Sequence, residues 1–117
     1  MIVNLVIKNK KFNCSDGLQY RDFVHIDDVT DAIIKTLRTN KVSGNIFNIG
    51  SGQPVQIKKI IFKICKLVGS GRPQFGKIKL RKDEISSLYP DITRAKKILN
   101  WKPKINLNLG LLKTVNY

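Results

Sequence analysis

Residues able to do chemistry crowd into one stretch, Arg21-Asp22-Phe23-Val24-His25-Ile26-Asp27-Asp28-Val29. The chain holds only eight carboxylates against 22 lysines and arginines, and four of the eight stand at positions 22, 27, 28 and 31. His25 is the sole histidine, the side chain whose ordinary charge change falls near neutral pH. A general base needs a partner within hydrogen-bond reach, and no Ser, Cys or paired acid is marked as one here. His25 is therefore not expected to be catalytic. The acids after it serve the fold instead. Asp27 stands where an N-cap belongs, its carboxylate accepting orphan amide protons of a first helical turn. Asp28 and Asp31 add negative charge near that positive helix end.

Two other groups invite chemistry. Cys14 and Cys65 lie far apart and match neither a metal nor a redox spacing, and one histidine makes a structural zinc site an unfavourable reading. Two reduced thiols in a cytoplasmic setting are expected. The Gly50-Ser51-Gly52 loop lacks the six-residue glycine spacing of a dinucleotide fingerprint.

Several elements must position these groups. Residues 20 to 26 alternate, with Arg21, Phe23 and His25 on one face, which predicts a short strand. Val29, Ala32, Ile33 and Leu37 follow at helical spacing and predict a helix with one apolar face, ending near Arg38. Asn45 to Ile49 predicts a strand from its branched and aromatic content, stopping at the glycine loop. Beyond Pro54, Ile57, Ile60, Ile61, Ile64 and Val68 form the buried stripe of a second helix, with Gly69 as its stop. Residues 70 to 76 read as a loop, and Lys77 to Arg81 as a strand with Ile78 and Leu80 inward. A helix opens near Asp91 and buries Ile92, Ala95 and Leu99. Trp101 anchors the following loop, and a last helix would use Leu109, Leu112 and Val115.

At 117 residues the chain has room for one small domain with one core, expected to span residues 1 to 117. No apolar run approaches the roughly 20 residues of a bilayer span. The opening apolar stretch of about seven residues has lysine after it rather than before, the wrong order for a secretory signal. No membrane role is expected. A net charge of +14 attracts phosphate backbones in principle. Yet 17 of the 22 cationic residues are lysines spread along the whole chain, and the aromatics do not interleave with them as a stacking platform requires. A solvated basic surface is the expectation, and nucleic-acid binding is disfavoured. The few strands in a strand–helix–strand–helix series call for others beside them, as in part of a larger α/β protein.

Taken together, "RDFVHIDDV", "GNIFNIGSGQPVQIKKI", "LRKDE" and "DITRAKKILNWKPKINLNLGLLKTV" resemble, in order and separation, the extended short-chain dehydrogenase/reductase family of NAD-dependent nucleotide-sugar epimerases and dehydratases. The resemblance covers residues 1 to 116 and only the C-terminal third or so of such an enzyme. It implies a small mixed α/β subdomain that binds substrate, the C-terminal portion of a Rossmann-type α/β protein. It also implies a nucleoside-diphosphate sugar as ligand and action at sugar C4.

Four site residues carry over from the family pattern. Arg21 would project toward the diphosphate, where a planar fork that never loses its charge can donate two hydrogen bonds. The alternative is a surface ion pair with Asp22 or Asp16. Asn48 would donate to phosphate from a strand end, or else close its own turn. Arg81 and Glu84 resemble an Arg-x-Gly-Asp/Glu motif, in which Arg grips the diphosphate and the acid accepts from ribose hydroxyls. Asp83 stands where glycine is usual. Asp22 is expected to hold the arginine's backbone or a neighbouring loop, with no catalytic role, and Phe23 to line the pocket or the core.

Three parts of the family's chemistry are not found in these residues: the glycine-rich NAD turn, a Tyr-x-x-x-Lys pair, and the Ser or Thr beside it. Val24 follows Tyr20 and Thr93 follows Tyr89 at the lysine position. NAD or NADP is thus expected in a parent enzyme and not on this chain alone, with an N-terminal Rossmann portion, if separately encoded, as partner. A homo-oligomer stays open. So do a stand-alone basic binding module and a truncated remnant with uncovered apolar faces.

Overall fold

In the computed structural model, which describes residues 2–40 and 42–116, five helices frame two small sheets. The helices are α1 (Ile2–Ile7), α2 (Ile26–Arg38), α3 (Ile57–Val68), α4 (Thr93–Ile98) and α5 (Leu107–Val115). The strands are β1 (Lys11–Asn13), β2 (Tyr20–Arg21), β3 (Val55–Gln56), β4 (Arg72–Gln74) and β5 (Ser87–Leu88). β1 and β4 pair in parallel, Phe12 opposite Pro73. The second sheet runs β3-β2-β5, with Arg21 opposite Val55 on the antiparallel side and opposite Leu88 on the parallel side. The chain is a slab of 49 × 35 × 17 Å, so its thickness exceeds one helix diameter of roughly 10–12 Å only modestly.

α3 is the centre of the larger core. Ile60, Ile61 and Ile64 are buried with Val6 from α1, Phe12 and Cys14. Leu107 and Leu111 of α5 pack on the same cluster. Two backbone carbonyls, Gln19 O at 3.1 Å and Gly17 O at 2.8 Å, accept the amides of Ile57 and Lys58 and open α3 without a side-chain cap. Gly17 has φ +71°, and a Cβ there would sit 2.9 Å from the Lys58 amide nitrogen, so the turn requires glycine. Gly69 closes the helix in the left-handed region as expected, donating to Cys65 O at 2.9 Å.

The second core joins Ala32 of α2 to Ala95 of α4, Leu99 and Trp101. Asp28 ties it together. Its carboxylate accepts from the Lys104 and Ile105 amides at 2.9 and 3.0 Å, and its carbonyl accepts from Trp101 Nε1 at 3.1 Å. A carboxylate only 2 % exposed needs such donors to offset lost hydration. Trp101 and the Ile92–Ala95–Leu99 face are buried as the sequence predicts.

Other expectations are corrected. The N-cap of α2 is His25, whose Nδ1 accepts from the Asp27 amide at 3.2 Å, and not Asp27. Asp27 instead pairs with Lys113 of α5 at 3.0 Å, which, with the hydrogen bond as the leading cause, holds its carboxyl below the usual range. The strand expected over 20 to 26 pairs only at Tyr20 and Arg21. Asn45 to Ile49 keeps a strand's alternation, with Phe47 and Ile49 against the second core, but belongs to neither sheet. At Lys77 to Arg81 the Lys77 and Ile78 amides both donate to Cys14 O, a turn-like arrangement rather than a ladder, and Ile78 and Leu80 face outward. The strand lies earlier, at β4, within the segment read as loop. Ile33 and Leu37 of α2 are exposed, as are Leu109 and Leu112 of α5, whose buried side uses Leu107 and Leu111 instead. Among the described residues no helix is long and apolar enough to cross a membrane.

Candidate functional site

β2 is the middle strand of the three-stranded sheet, and it carries Arg21 to the point where several loops meet. The Arg21 fork is spent internally: Nη1 donates to Tyr20 O at 2.7 Å and Nη2 pairs with Glu84. Neither Asp22 nor Asp16 is the ion-pair partner. Glu84 arrives from a turn closed by its own amide donating to Arg81 O at 3.1 Å. That turn leads into β5, which runs parallel beside β2. Non-glycine residues at positive φ among the described residues are Asn9 and Asn100. Asp83 therefore sits in an ordinary backbone region, and this turn does not demand the glycine usual in the motif.

Asp22 does hold a neighbouring loop. Its two carboxylate oxygens accept from the Ser51 and Gly52 amides at 2.8 and 2.7 Å. Gly50 just before them is buried because Pro90 crosses over it; a Cβ there would meet Pro90 Cγ at 2.4 Å. Asn48 leaves the preceding segment with its Nδ2 donating to Asp91 O at 3.3 Å. Asp91 in turn accepts from Thr93, whose hydroxyl and then amide hold its carboxyl below the ordinary value, with Lys96 and Lys97 assisting.

Two depressions result, and they meet at Arg21 and Leu88. One, of about 220 Å³, is lined by Arg21, Arg81, Asp83, Glu84, Ile85 and Leu88. The other, of about 590 Å³, is walled chiefly by Arg21, Asp22, Asn48, Gly50, Tyr89 and Asp91. The four residues singled out from sequence thus line these two depressions, Arg21 both of them, Arg81 and Glu84 the smaller and Asn48 the larger. Tyr89 and Asp91 were not singled out as site residues. The signal for them was their place directly after β5, at the strand's carboxyl end. Phe23 packs against the larger core and lines a different cavity, with Val55, Lys104 and Leu107.

Comparison with known proteins decides the family. A family model described as GDP-mannose 4,6 dehydratase matches residues 1–114. This chain belongs to the extended short-chain dehydrogenase/reductase family of NAD-dependent epimerases and dehydratases. Within that family it is 36% identical over 103 residues to a UDP-glucuronate 4-epimerase of Thermodesulfobacterium geofontis, covering 87% of this chain and 31% of that enzyme. It is 35% identical over 96 residues to a dTDP-L-rhamnose 4-epimerase of Burkholderia thailandensis, covering 82% and 26%. The crystal structure of a UDP-glucose 4-epimerase from Thermotoga maritima with UDP-glucose superposes with a TM-score of 0.89 at 27% identity, over 99% of this chain and 37% of that one. A UDP-glucuronic acid 4-epimerase from Bacillus cereus in complex with NAD superposes with a TM-score of 0.85 at 28% identity, over 99% and 36%. The chain therefore spans about a third of the length of the family members it matches.

The Gly50-Ser51-Gly52 loop does not fit a dinucleotide's pyrophosphate. A pyrophosphate cradle at a glycine loop needs free backbone amides, and the Ser51 and Gly52 amides already donate to Asp22.

Proposed function

We propose that this chain is the substrate-binding part of an NAD(P)-dependent nucleotide-sugar epimerase, dehydratase or reductase that acts at sugar C4. On this reading the chain holds the nucleoside diphosphate and leaves hydride chemistry to a cofactor-binding portion. The observation that carries it is the convergence of Arg21, Arg81 and Glu84 on one small depression, although Arg21 and Glu84 stand 63 residues apart in the chain. Two guanidinium forks can share the oxygens of a diphosphate, and a carboxylate is the natural acceptor for vicinal ribose hydroxyls. Asn48 adds a neutral donor in the neighbouring larger depression. The kinship with a UDP-glucose-bound epimerase supports the same ligand class.

The test titrates uridine, cytidine and thymidine diphosphates against the 117-residue chain, and against the same chain joined behind the remaining portion of the Thermotoga enzyme. Arg21→Ala and Arg81→Ala should each weaken the preferred nucleotide by about ten- to a hundredfold, the usual worth of a charge-assisted hydrogen bond. Unchanged affinity in both variants would falsify the site assignment. Asn48→Ala, which removes a neutral donor, should cost less, about two- to tenfold.

A further inference from the structure

We propose that the outward face of α3 docks single-stranded nucleic acid, a binding function that does not use the depressions around Arg21, none of whose lining residues belongs to α3. The basis is how charge is divided along the chain. All eight carboxylates fall within residues 16–31 and 83–91, so residues 32–82 hold no acid and 12 lysines and arginines. α3 lies inside that stretch, and α1, β3 and α5, which pack against it, contain no acid either. The loop that opens the helix does hold Asp16, whose carboxylate accepts from the Leu18 amide at 3.1 Å. Among the described residues the ion pairs join Arg21, His25, Lys104 and Lys113 to carboxylates and involve no lysine of α3.

Among those lysines stands an aromatic pair. Phe62 is 51% exposed, and its ring centre lies 5.3 Å from that of Phe75, with the planes tilted by 45°. Phe75 packs on the larger core, so it braces a ring that the surface leaves bare. Lys58 reaches over Phe75, its Nζ 5.1 Å from the ring centre. Lys58, Lys59 and Lys66 stand four before, three before and four after Phe62, the neighbouring positions on a helix surface. Lys58, Phe62 and Lys66 therefore alternate charge, ring and charge at steps of about 6 Å along the helix. Along the sequence the aromatics and cations do not interleave; on this face the fold makes them do so.

That alternation fits a strand in which phosphates and bare bases alternate. Lysines neutralise the phosphates, and the ring takes a base by stacking. A duplex keeps its bases stacked on one another and offers Phe62 nothing. An anionic membrane fits less well. The apolar stripe of α3, Ile60, Ile61 and Ile64, is buried in the core, which leaves too little apolar face to sink among acyl chains.

The test is fluorescence anisotropy of a labelled oligouridylate of about a dozen nucleotides, the length of one such site, titrated with the full chain. Phe62→Ala should weaken binding about five- to a hundredfold, the worth of one stacked base, and leave the salt dependence unchanged. Lys59→Gln together with Lys66→Gln should instead flatten the slope of log affinity against log salt by about 0.7 per lysine. All three positions are exposed, so these variants should keep the wild-type circular dichroism, and Phe62→Trp, which retains a stacking ring, should bind at least as tightly as wild type. Lys96→Gln together with Lys97→Gln removes the same charge from α4 and should change affinity by less than about twofold at physiological salt. Unchanged affinity in Phe62→Ala, an equal loss from the α4 pair, or a duplex of the same length bound as tightly as the single strand overturns the proposal and leaves only the diffuse attraction of a basic chain. Tighter binding to phosphatidylserine vesicles than to the oligonucleotide overturns it as well and assigns the face to a lipid surface.

Discussion

α2 and α3 carry apolar residues at the same helical spacing, yet they end in different surroundings. α3 puts Ile60, Ile61 and Ile64 beneath α1, Phe12 and the Leu107–Leu111 side of α5, and Ile61 is 1% exposed. α2 buries only Asp28 and Ala32, while Ile33 and Leu37 of the same predicted stripe are 57% and 82% exposed. The helical period announces that a face suits burial; it does not say that a neighbour exists to cover it. α3 is held by packing. α2 is held by one polar hub, the Asp28 carboxylate and carbonyl, with a small cluster around Ala32 and Trp101 behind it. The α2 arrangement suits a helix whose first turn follows directly from the strand carrying Arg21, because directional bonds fix its start where apolar contact is thin.

The sharpest way to break this contrast is to truncate each helix at its own anchor and follow urea unfolding. Ile61→Ala should cost about 2–5 kcal/mol, the transfer and cavity cost of a fully buried isoleucine. Asp28→Ala should come next. It leaves the Lys104 and Ile105 amides without their acceptor, a loss of about 1–3 kcal/mol. If Asp28→Ala proved neutral, α2 would have to be held by contacts other than that hub. Leu37→Ser should fall within about 0.5 kcal/mol of wild type, as exposed substitutions do, and should lower any self-association seen by sedimentation. A penalty above about 2 kcal/mol would mean that something covers this face in solution, a second copy being the simplest occupant.

The same contrast governs how much could be read from sequence. α3, its stop at Gly69, the start near Asp91 and the burial of Trp101 were legible because each rests on local spacing or a local cap. The strands were not. A ladder is a property of two segments, and Asn45 to Ile49 alternates correctly yet joins neither sheet, whereas Arg72–Gln74, with a proline in it, pairs with β1. Asp28 reads locally as one more acid near a helix start, and its acceptor role depends on residues 76 and 77 positions away. Arg21, Asn48, Arg81 and Glu84 were named through family resemblance, not through spacing, and the fold brings Arg21, Arg81 and Glu84 to one depression. The Arg21–Glu84 pair was not legible, since it forms only when β5 lies down beside β2. For Asp22 two readings stood open, the arginine's backbone or a neighbouring loop, and the choice between them depends on the Ser51 and Gly52 amides 29 and 30 positions away.

The smallest predicted effect concerns a polar tie between the exposed start of α2 and α5. Lys113 Nζ lies 3.0 Å from Asp27 Oδ2, and this hydrogen bond, more than the accompanying charges of Lys113 and His25, lowers the Asp27 carboxyl from its usual value. A folded-state value below the unfolded one means that the native state binds the proton less readily. The contribution is therefore complete above the ordinary carboxylate range, near 3.9 for unfolded Asp, and fades as pH falls through the lowered folded value. Asp27→Asn should accordingly differ slightly from wild type in urea midpoint at pH 6, and the two should converge as the pH is taken down to about 3 or below. Because the pair is open to solvent, 1 M salt should shrink the difference at pH 6 as well, the screening length there being only about 3 Å. A gap that persists at low pH would show that Asp27 acts through packing at the α2 start rather than through its charge, and α2 would then resemble α3 more closely than its exposure suggests.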